Sequence, residues 1–243
     1  MEIVKSRLLA AFPHGFTTRA GGVSAPPFAT LDLGGAVGDD PARVAENWER
    51  LRRHTGLAFA RVKQVHGARV VLEPEPDAPR EEADAVLSRT RGLAACVSVA
   101  DCVPVLVADP VTGAVAAVHA GWRGTLARIA AGAAGALSRL SGTPPAQLLA
   151  AVGPSIGRCC YEVSPELAGR FRDAFGGEVV SSDERPHLDL WQANARALVA
   201  AGLQLENVEV LGLCTACDER RFFSHRRDAG RTGRQVGFIA PLP

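Results

Sequence analysis

The chain has 243 residues, 47% of them hydrophobic and 22% charged, with a formal net charge of +1, enough to bury a full core. The near-neutral balance, the lack of any extended basic tract and a single tyrosine exclude the electrostatic footprint of a nucleic-acid binder. The opening segment MEIVKSRLLAAFPHGF carries an acidic second residue and no sustained apolar run, so neither a signal peptide nor a membrane span is expected and the protein is placed in the cytoplasm. There its six cysteines stay reduced, and their number suggests metal or catalytic chemistry before disulfides.

In chain order, Asp39-Asp40-Pro41 caps a helix with Val44, Trp48 and Leu51 on one face that stops at Gly56. The apolar run from Arg69 to Leu72 reads as a strand following KQVHG. Val103 to Ala108 (VPVLVA) and Ala114 to His119 (AVAAVH) are Val-rich runs separated by Asp-Pro-Val-Thr-Gly, the composition of a hairpin loop. Pairing Ala108 with Ala114 sets Val103 opposite His119 and brings Cys102 to the same open end. Thr125 caps a small-residue helix with Leu126, Ile129, Ala133, Leu137 and Leu140 at helical spacing, ended by Gly142 and Pro144-Pro145. Leu148 to Val152 follows as a strand, Ser164-Pro165 opens a helix through Phe175, and Asp189 opens another that ends at Gly202. Val208 to Leu213 and Gln235 to Ala240 supply late strands. With no Pro/Gly/Ser linker, residues 1–243 are expected to form a single α+β domain with mixed sheets packed between helices.

The chemistry-bearing residues concentrate in loops: GFTTRAGGVS, KQVHG, ADCVP, HAGWRGT, VGPSIGRCCYEV and CTACDERRFFSHRRDAGRTGRQ. Cys102 and His119 meet at the hairpin end, and His66 comes from a separate segment. Two imidazoles and a thiolate are the ligand set of a metal site with one position open. For each residue the ordinary alternative is burial of a small thiol or a hydrogen-bonded histidine.

These six segments, in this order from Gly15 to Gly237, resemble the YfiH/PgeF family, described both as a polyphenol oxidoreductase (laccase) domain and as a purine nucleoside phosphorylase. The resemblance implies an α+β fold of mixed sheets flanked by helices, related to cysteine-hydrolase-like folds. It also implies a zinc or copper site at His66, Cys102 and His119. Three protein ligands suit catalytic zinc. The laccase name fails a ligand count: the other histidines, His14, His54, His187 and His225, are scattered, no HxH pair occurs and Met1 is the sole methionine, so a multicopper cluster cannot be built. Copper bound in vitro would support only slow phenol oxidation.

The family further implies phosphorolysis of purine nucleosides (adenosine, inosine, guanosine, methylthioadenosine) and deamination of adenosine, with nucleoside and phosphate as the partners and no obligate protein partner. Deamination needs an activated water at C6 and a carboxylate to move the proton, for which Asp101 beside Cys102 is the candidate. Phosphorolysis needs guanidinium groups to hold phosphate, and Arg19 and Arg123 are the candidate clamp. Gln64, Trp122, Arg226, Arg227 and Arg234 are the remaining candidates for substrate contact, Trp122 as a stacking surface and the last three in a glycine-flanked loop that closes over substrate. Against these stand a turn-capping Asp101, a structural ion pair for Arg123 and a packing role for Trp122. Cys214 and Cys217 form one CxxC, half a structural zinc site, and the vicinal Cys159-Cys160 is an unusual other half, so all four read as ordinary packed or loop cysteines. Two other classes of function stay open: an amide hydrolase, either through the zinc site or with Cys102 as nucleophile and His119 as base, for which the PgeF resemblance implies a UDP-muramoyl-serine peptidoglycan precursor as substrate, and a non-catalytic purine-binding protein.

Overall fold

The computed structural model describes residues 1–74 and 80–242. Among the described residues eleven strands form two mixed sheets. The first sheet contains β1 (Ile3–Val4), β2 (His14–Thr17), β3 (Ala58–Ala60), β6 (Leu93–Val99) and β11 (Gln235–Ile239), in spatial order β1-β2-β11-β6-β3. The second contains β4 (Val70–Leu72), β5 (Ala85–Ser88), β7 (Val103–Ala108), β8 (Val115–Ala120), β9 (Leu149–Val152) and β10 (Val208–Val210), in order β10-β9-β7-β8-β5-β4. Pairs β3/β6, β4/β5 and β9/β10 are parallel and the rest antiparallel.

Period-2 alternation explains the layering. From β7, Leu106 and Ala108 point into the layer between the sheets, where they meet Phe16, Val97 and Ile239 of the first sheet. Val103, Val105 and Val107 point the other way, onto helices α3 (Ile129–Ser141), α4 (Pro165–Phe175) and α5 (Leu190–Ala200). On the far face of the first sheet, Trp48 and Leu51 of α1 (Pro41–Thr55) cover Phe59, Cys96 and Phe238. The result is four layers, helix, sheet, sheet, helices, in agreement with the expected α+β class with sheets between helices.

The caps of α1 (Asp40, Gly56), α4 (Ser164) and α5 (Asp189) are those the sequence signals. Three expectations are corrected. Ala108 pairs with Val115, so Pro104 lies opposite His119 and Val103 opposite Ala120. Ala114 is consumed in closing the loop, its carbonyl accepting the Asp109 amide at 2.9 Å. Thr125 does not cap the long helix: it lies inside a short helix α2 (Trp122–Leu126), and Arg128, at φ 56°, turns the chain into α3. The buried Thr125 hydroxyl instead accepts from Asn194 Nδ2 at 3.0 Å. The strand from Val208 ends at Val210, short of Leu213.

Close approach of the two sheets sets a demanding packing point at Gly153, directly after β9. A Cβ there would lie 2.1 Å from Cε1 and 2.5 Å from Cδ1 of the Phe16 ring, well inside contact distance. Gly153→Ala is expected to cost about 3 kcal/mol through overpacking. Thermal unfolding reads this as a fall of about 2–4 °C per kcal/mol for a chain of this size.

Candidate metal centre and substrate cleft

His66 and Asp101 both hold a left-handed backbone, φ 60° and 83°, which costs a non-glycine residue about 1–2 kcal/mol. The structure meets that cost with a buried carboxylate in each case. Asp84, immediately before β5 and fully buried, accepts the backbone N–H of His66 at 2.9 Å, Gly67 at 2.6 Å and Val65 at 3.3 Å. Asp101 accepts the Thr215 hydroxyl at 2.7 Å and the Arg226 amide at 2.6 Å, while its carbonyl accepts from Ile156 at 3.0 Å. These bonds fix the loop carrying His66 and the turn that delivers Cys102 to the mouth of β7.

Asp84 also accepts from His119 Nδ1 at 2.7 Å, and its carbonyl accepts the His119 amide at 2.7 Å. The ring is thereby held through Nδ1 with Nε2 turned away from Asp84, the arrangement in which a carboxylate orients a metal-binding histidine. The donor atoms of His66, Cys102 and His119 all lie within 4.8 Å of one another, and the two imidazole rings meet edge to face at 4.8 Å. A Cβ at Gly121 would sit 3.0 Å from Cys102 Sγ and 3.1 Å from His66 Cδ2. The glycine of HAGWRG keeps the space among the three donors clear, and the two nitrogens and one sulfur fit a metal ion.

Burial alone would push the Cys102 thiol up, but the two imidazoles, His119 foremost, outweigh it and bring the thiol down to about 6. For His119, burial pulls downward and is overcome by Cys102 and Asp84, which raise it to about 9. With those directions Cys102 is a thiolate facing a His119 imidazolium, and a metal would take the place of the proton between them.

The three side chains open onto a cleft of about 750 Å³. Of the residues expected to contact substrate, Gln64, Trp122, Arg226 and Arg234 line it, as does Asp101. Gln64 also clips the sheet edge, its amide nitrogen donating to Ser98 O and its oxygen accepting from Ser98 N, both at 2.8 Å. Arg19, Arg123 and Arg227 are not among the described wall residues. Arg19 stacks on Phe223 at 4.8 Å and donates to the Ala29 and Glu219 carbonyls, Arg123 lies over Trp122 at 4.6 Å, and Arg227 pairs with Asp228 at 2.8 Å. The expected Arg19 and Arg123 clamp is therefore not assembled at the cleft. Tyr161, His225 and Arg80, to which the motifs assign no role, also line it.

Behind the wall, the fully buried Asp32 accepts the Gly34 and Arg234 amides, both at 2.8 Å, and its second oxygen has no hydrogen-bond partner among the described residues. Burial, opposed by those two amides, pushes its carboxyl up to about 6. The folded protein therefore binds this proton more tightly than the unfolded chain, whose Asp titrates near about 4. Stability from this group is full below about pH 4 and falls as pH rises to about 6, by about 3 kcal/mol in total. Asp32→Asn removes that slope, and urea unfolding at several pH values should show the variant gaining on the wild type between about pH 4 and pH 7.

A second gathering of donors stands in two loops away from the first. Cys159, Cys160, Cys214 and Cys217 bring their sulfurs within 4.8 Å of one another, and these four, with the His66, Cys102 and His119 group, are the two such donor groups among the described residues. No imidazole-rich cluster of the kind a multicopper oxidase requires is found among them.

The fold and the first site define a two-sheet α/β protein whose His-Cys-His centre lies in a cleft walled by aromatic and cationic side chains. The chain belongs to the family of multi-copper polyphenol oxidoreductase laccases, which it matches over residues 13–241, the YfiH/PgeF family of the sequence motifs. It is 46% identical to a purine nucleoside phosphorylase of Deinococcus radiodurans over 94% of this chain and 89% of that protein. The crystal structure of YlmD from Geobacillus stearothermophilus superposes with a TM-score of 0.91 at 33% identity, covering 98% and 94% of the two chains. That of YfiH from Bacillus licheniformis gives 0.89 at 34% identity, covering 94% and 92%. No helix among the described residues is long and apolar enough to cross a membrane.

Proposed function

We propose that this chain, acting as one catalytic domain, is a zinc-dependent purine nucleoside phosphorylase that also deaminates adenosine. The reading is carried by one observation: Asp84 aims His119 at Cys102 and His66 on the wall of a cleft large enough for a nucleoside. The purine phosphorylase names of the relatives support it. Zinc held by His66, Cys102 and His119 would supply Lewis acidity and bring bound water to ionise near neutral pH.

The chain's own residues do the rest. Trp122 and Tyr161 offer faces on which a purine stacks. Arg226 and Arg234 take over the phosphate-holding role expected of Arg19 and Arg123, because they line the cleft and those two do not. Asp101 moves the proton in deamination only by exchanging one of its bonds to Thr215 or Arg226, so its constant role is to hold the turn before Cys102. Adenosine, inosine, guanosine and methylthioadenosine are the substrate class, and reduced thiols at the centre suit the cytoplasm.

A second reading is favoured by the Asp84–His119–Cys102 alignment, in which Asp84 accepts from His119 Nδ1 and the Cys102 sulfur lies within 4.8 Å of a His119 ring nitrogen. This is the arrangement of a cysteine hydrolase, which would act on an amide of a peptidoglycan precursor. Chelation separates the two. Metal-stripped protein that loses purine turnover and regains it with zinc supports the first reading. Stripped protein that retains or gains amide hydrolysis, and loses it on thiol alkylation, supports the second.

A further inference from the structure

Cysteines that serve only as small apolar residues are among the most buried side chains, yet Cys159 and Cys217 are exposed and Cys160 and Cys214 half-buried. Packing therefore does not account for four sulfurs at one point. They come from two segments 54 or more residues apart, read from Cys160 and Cys214, joined by a short parallel bridge: Ser155 N–H donates to Leu213 O at 3.1 Å and Thr215 N–H to Ser155 O at 3.0 Å. Each segment then makes a tight turn, Cys160 N–H donating to Gly157 O at 3.0 Å and Asp218 N–H to Cys214 O at 3.1 Å. The turns aim all four side chains at a common centre.

The spacing fits a single ion. Four thiolates at about 2.3 Å from zinc stand about 3.8 Å from one another. Here Cys217 Sγ lies 3.5 Å from Cys159 Sγ and 3.3 Å from Cys160 Sγ, and the full set falls within 4.8 Å. Those separations are far outside the ~2.05 Å of a disulfide. The Gly157 N–H points at Cys214 Sγ at 3.3 Å, a contact that favours a sulfur carrying negative charge.

We propose that Cys159, Cys160, Cys214 and Cys217 form a second, structural zinc site of four thiolates. The ion staples the segment bearing Ile156 and Tyr161 to the one bearing Thr215. Ile156 and Thr215 both hydrogen-bond Asp101, the residue before Cys102, and Ile156 and Tyr161 line the cleft. The staple thus fixes the cleft from behind without touching substrate, and with no open position it takes no part in chemistry. The assignment stands independently of the reaction proposed above.

The test is metal analysis and cobalt(II) substitution of Cys102→Ala protein purified under reducing conditions, in which the first centre is disabled. About one zinc per chain is expected to remain, and cobalt(II) should give the strong thiolate-to-cobalt charge-transfer and visible bands of a tetrahedral tetrathiolate site. Both should vanish when Cys217→Ser is added, and Cys159→Ser, at an exposed position, repeats the readout should the first variant not fold. Folded Cys102→Ala protein lacking metal, with these four cysteines freely reactive or joined as disulfides, overturns the proposal. Iron in place of zinc at the four thiolates does so as well.

Discussion

Cys102→Ala is expected to remove metal from the first centre and lower purine turnover by about 10³-fold or more, with circular dichroism unchanged. The Cys102 sulfur is the one ligand that faces both imidazoles, and without it His66 and His119 are left as a two-ligand site. A Lewis acid contributes several kcal/mol of transition-state stabilisation, and each 1.36 kcal/mol is tenfold in rate. The fold should survive because Cys102 is half-buried at a strand mouth and belongs to none of the three apolar cores. Loss of turnover together with loss of the fold would leave the ligand assignment unsupported, so the spectrum is read beside the rate.

Asp84→Asn is expected to weaken zinc binding by about 10–100-fold, the usual effect of losing the group that orients a ligating histidine, and to destabilise the fold as well. An amide keeps one acceptor oxygen but turns an NH₂ toward N–H donors that now share two carboxylate oxygens, at Val65, His66, Gly67 and His119. Leaving buried donors unmet costs about 1–3 kcal/mol for each group, and the left-handed His66 loses its hold. A zinc titration followed by thermal unfolding separates the two effects: the lower midpoint persists in metal-free protein, whereas an orienting role alone would vanish there. Equal zinc affinity in variant and wild type would show that Asp84 does not position His119.

The sequence makes part of this legible. The VPVLVA and AVAAVH runs and their Asp-Pro-Val-Thr-Gly loop are enough to bring Cys102 and His119 to one strand end. The register slips by one residue because β7 and β8 are buried on both faces, so no polar alternation marks which residue faces which layer. His66 reaches the pair through Asp84, and that residue was hidden in the acidic stretch EEADAV, its only signal being an acid directly before an apolar run. Arginine clusters show charge but not direction: Arg19, Arg123, Arg226, Arg227 and Arg234 all engage rings, carbonyls or Asp228, Arg226 lying over Tyr161 at 5.1 Å and Arg234 donating to the Thr232 and Gly233 carbonyls, but of the five only Arg226 and Arg234 line the cleft. The vicinal Cys159-Cys160 pair argued against a four-sulfur site by spacing alone, and only the parallel bridge at Ser155 and Cys214 reveals that the two halves meet.

The most direct test of a metal-dependent phosphorylase is to incubate metal-assayed protein with inosine, with and without phosphate, and follow products by chromatography. Hypoxanthine and ribose 1-phosphate formed in equal amounts, only when phosphate is present and only with metal at the first centre, is the predicted result. Zinc-loaded protein that releases no base from any purine nucleoside in phosphate would contradict it.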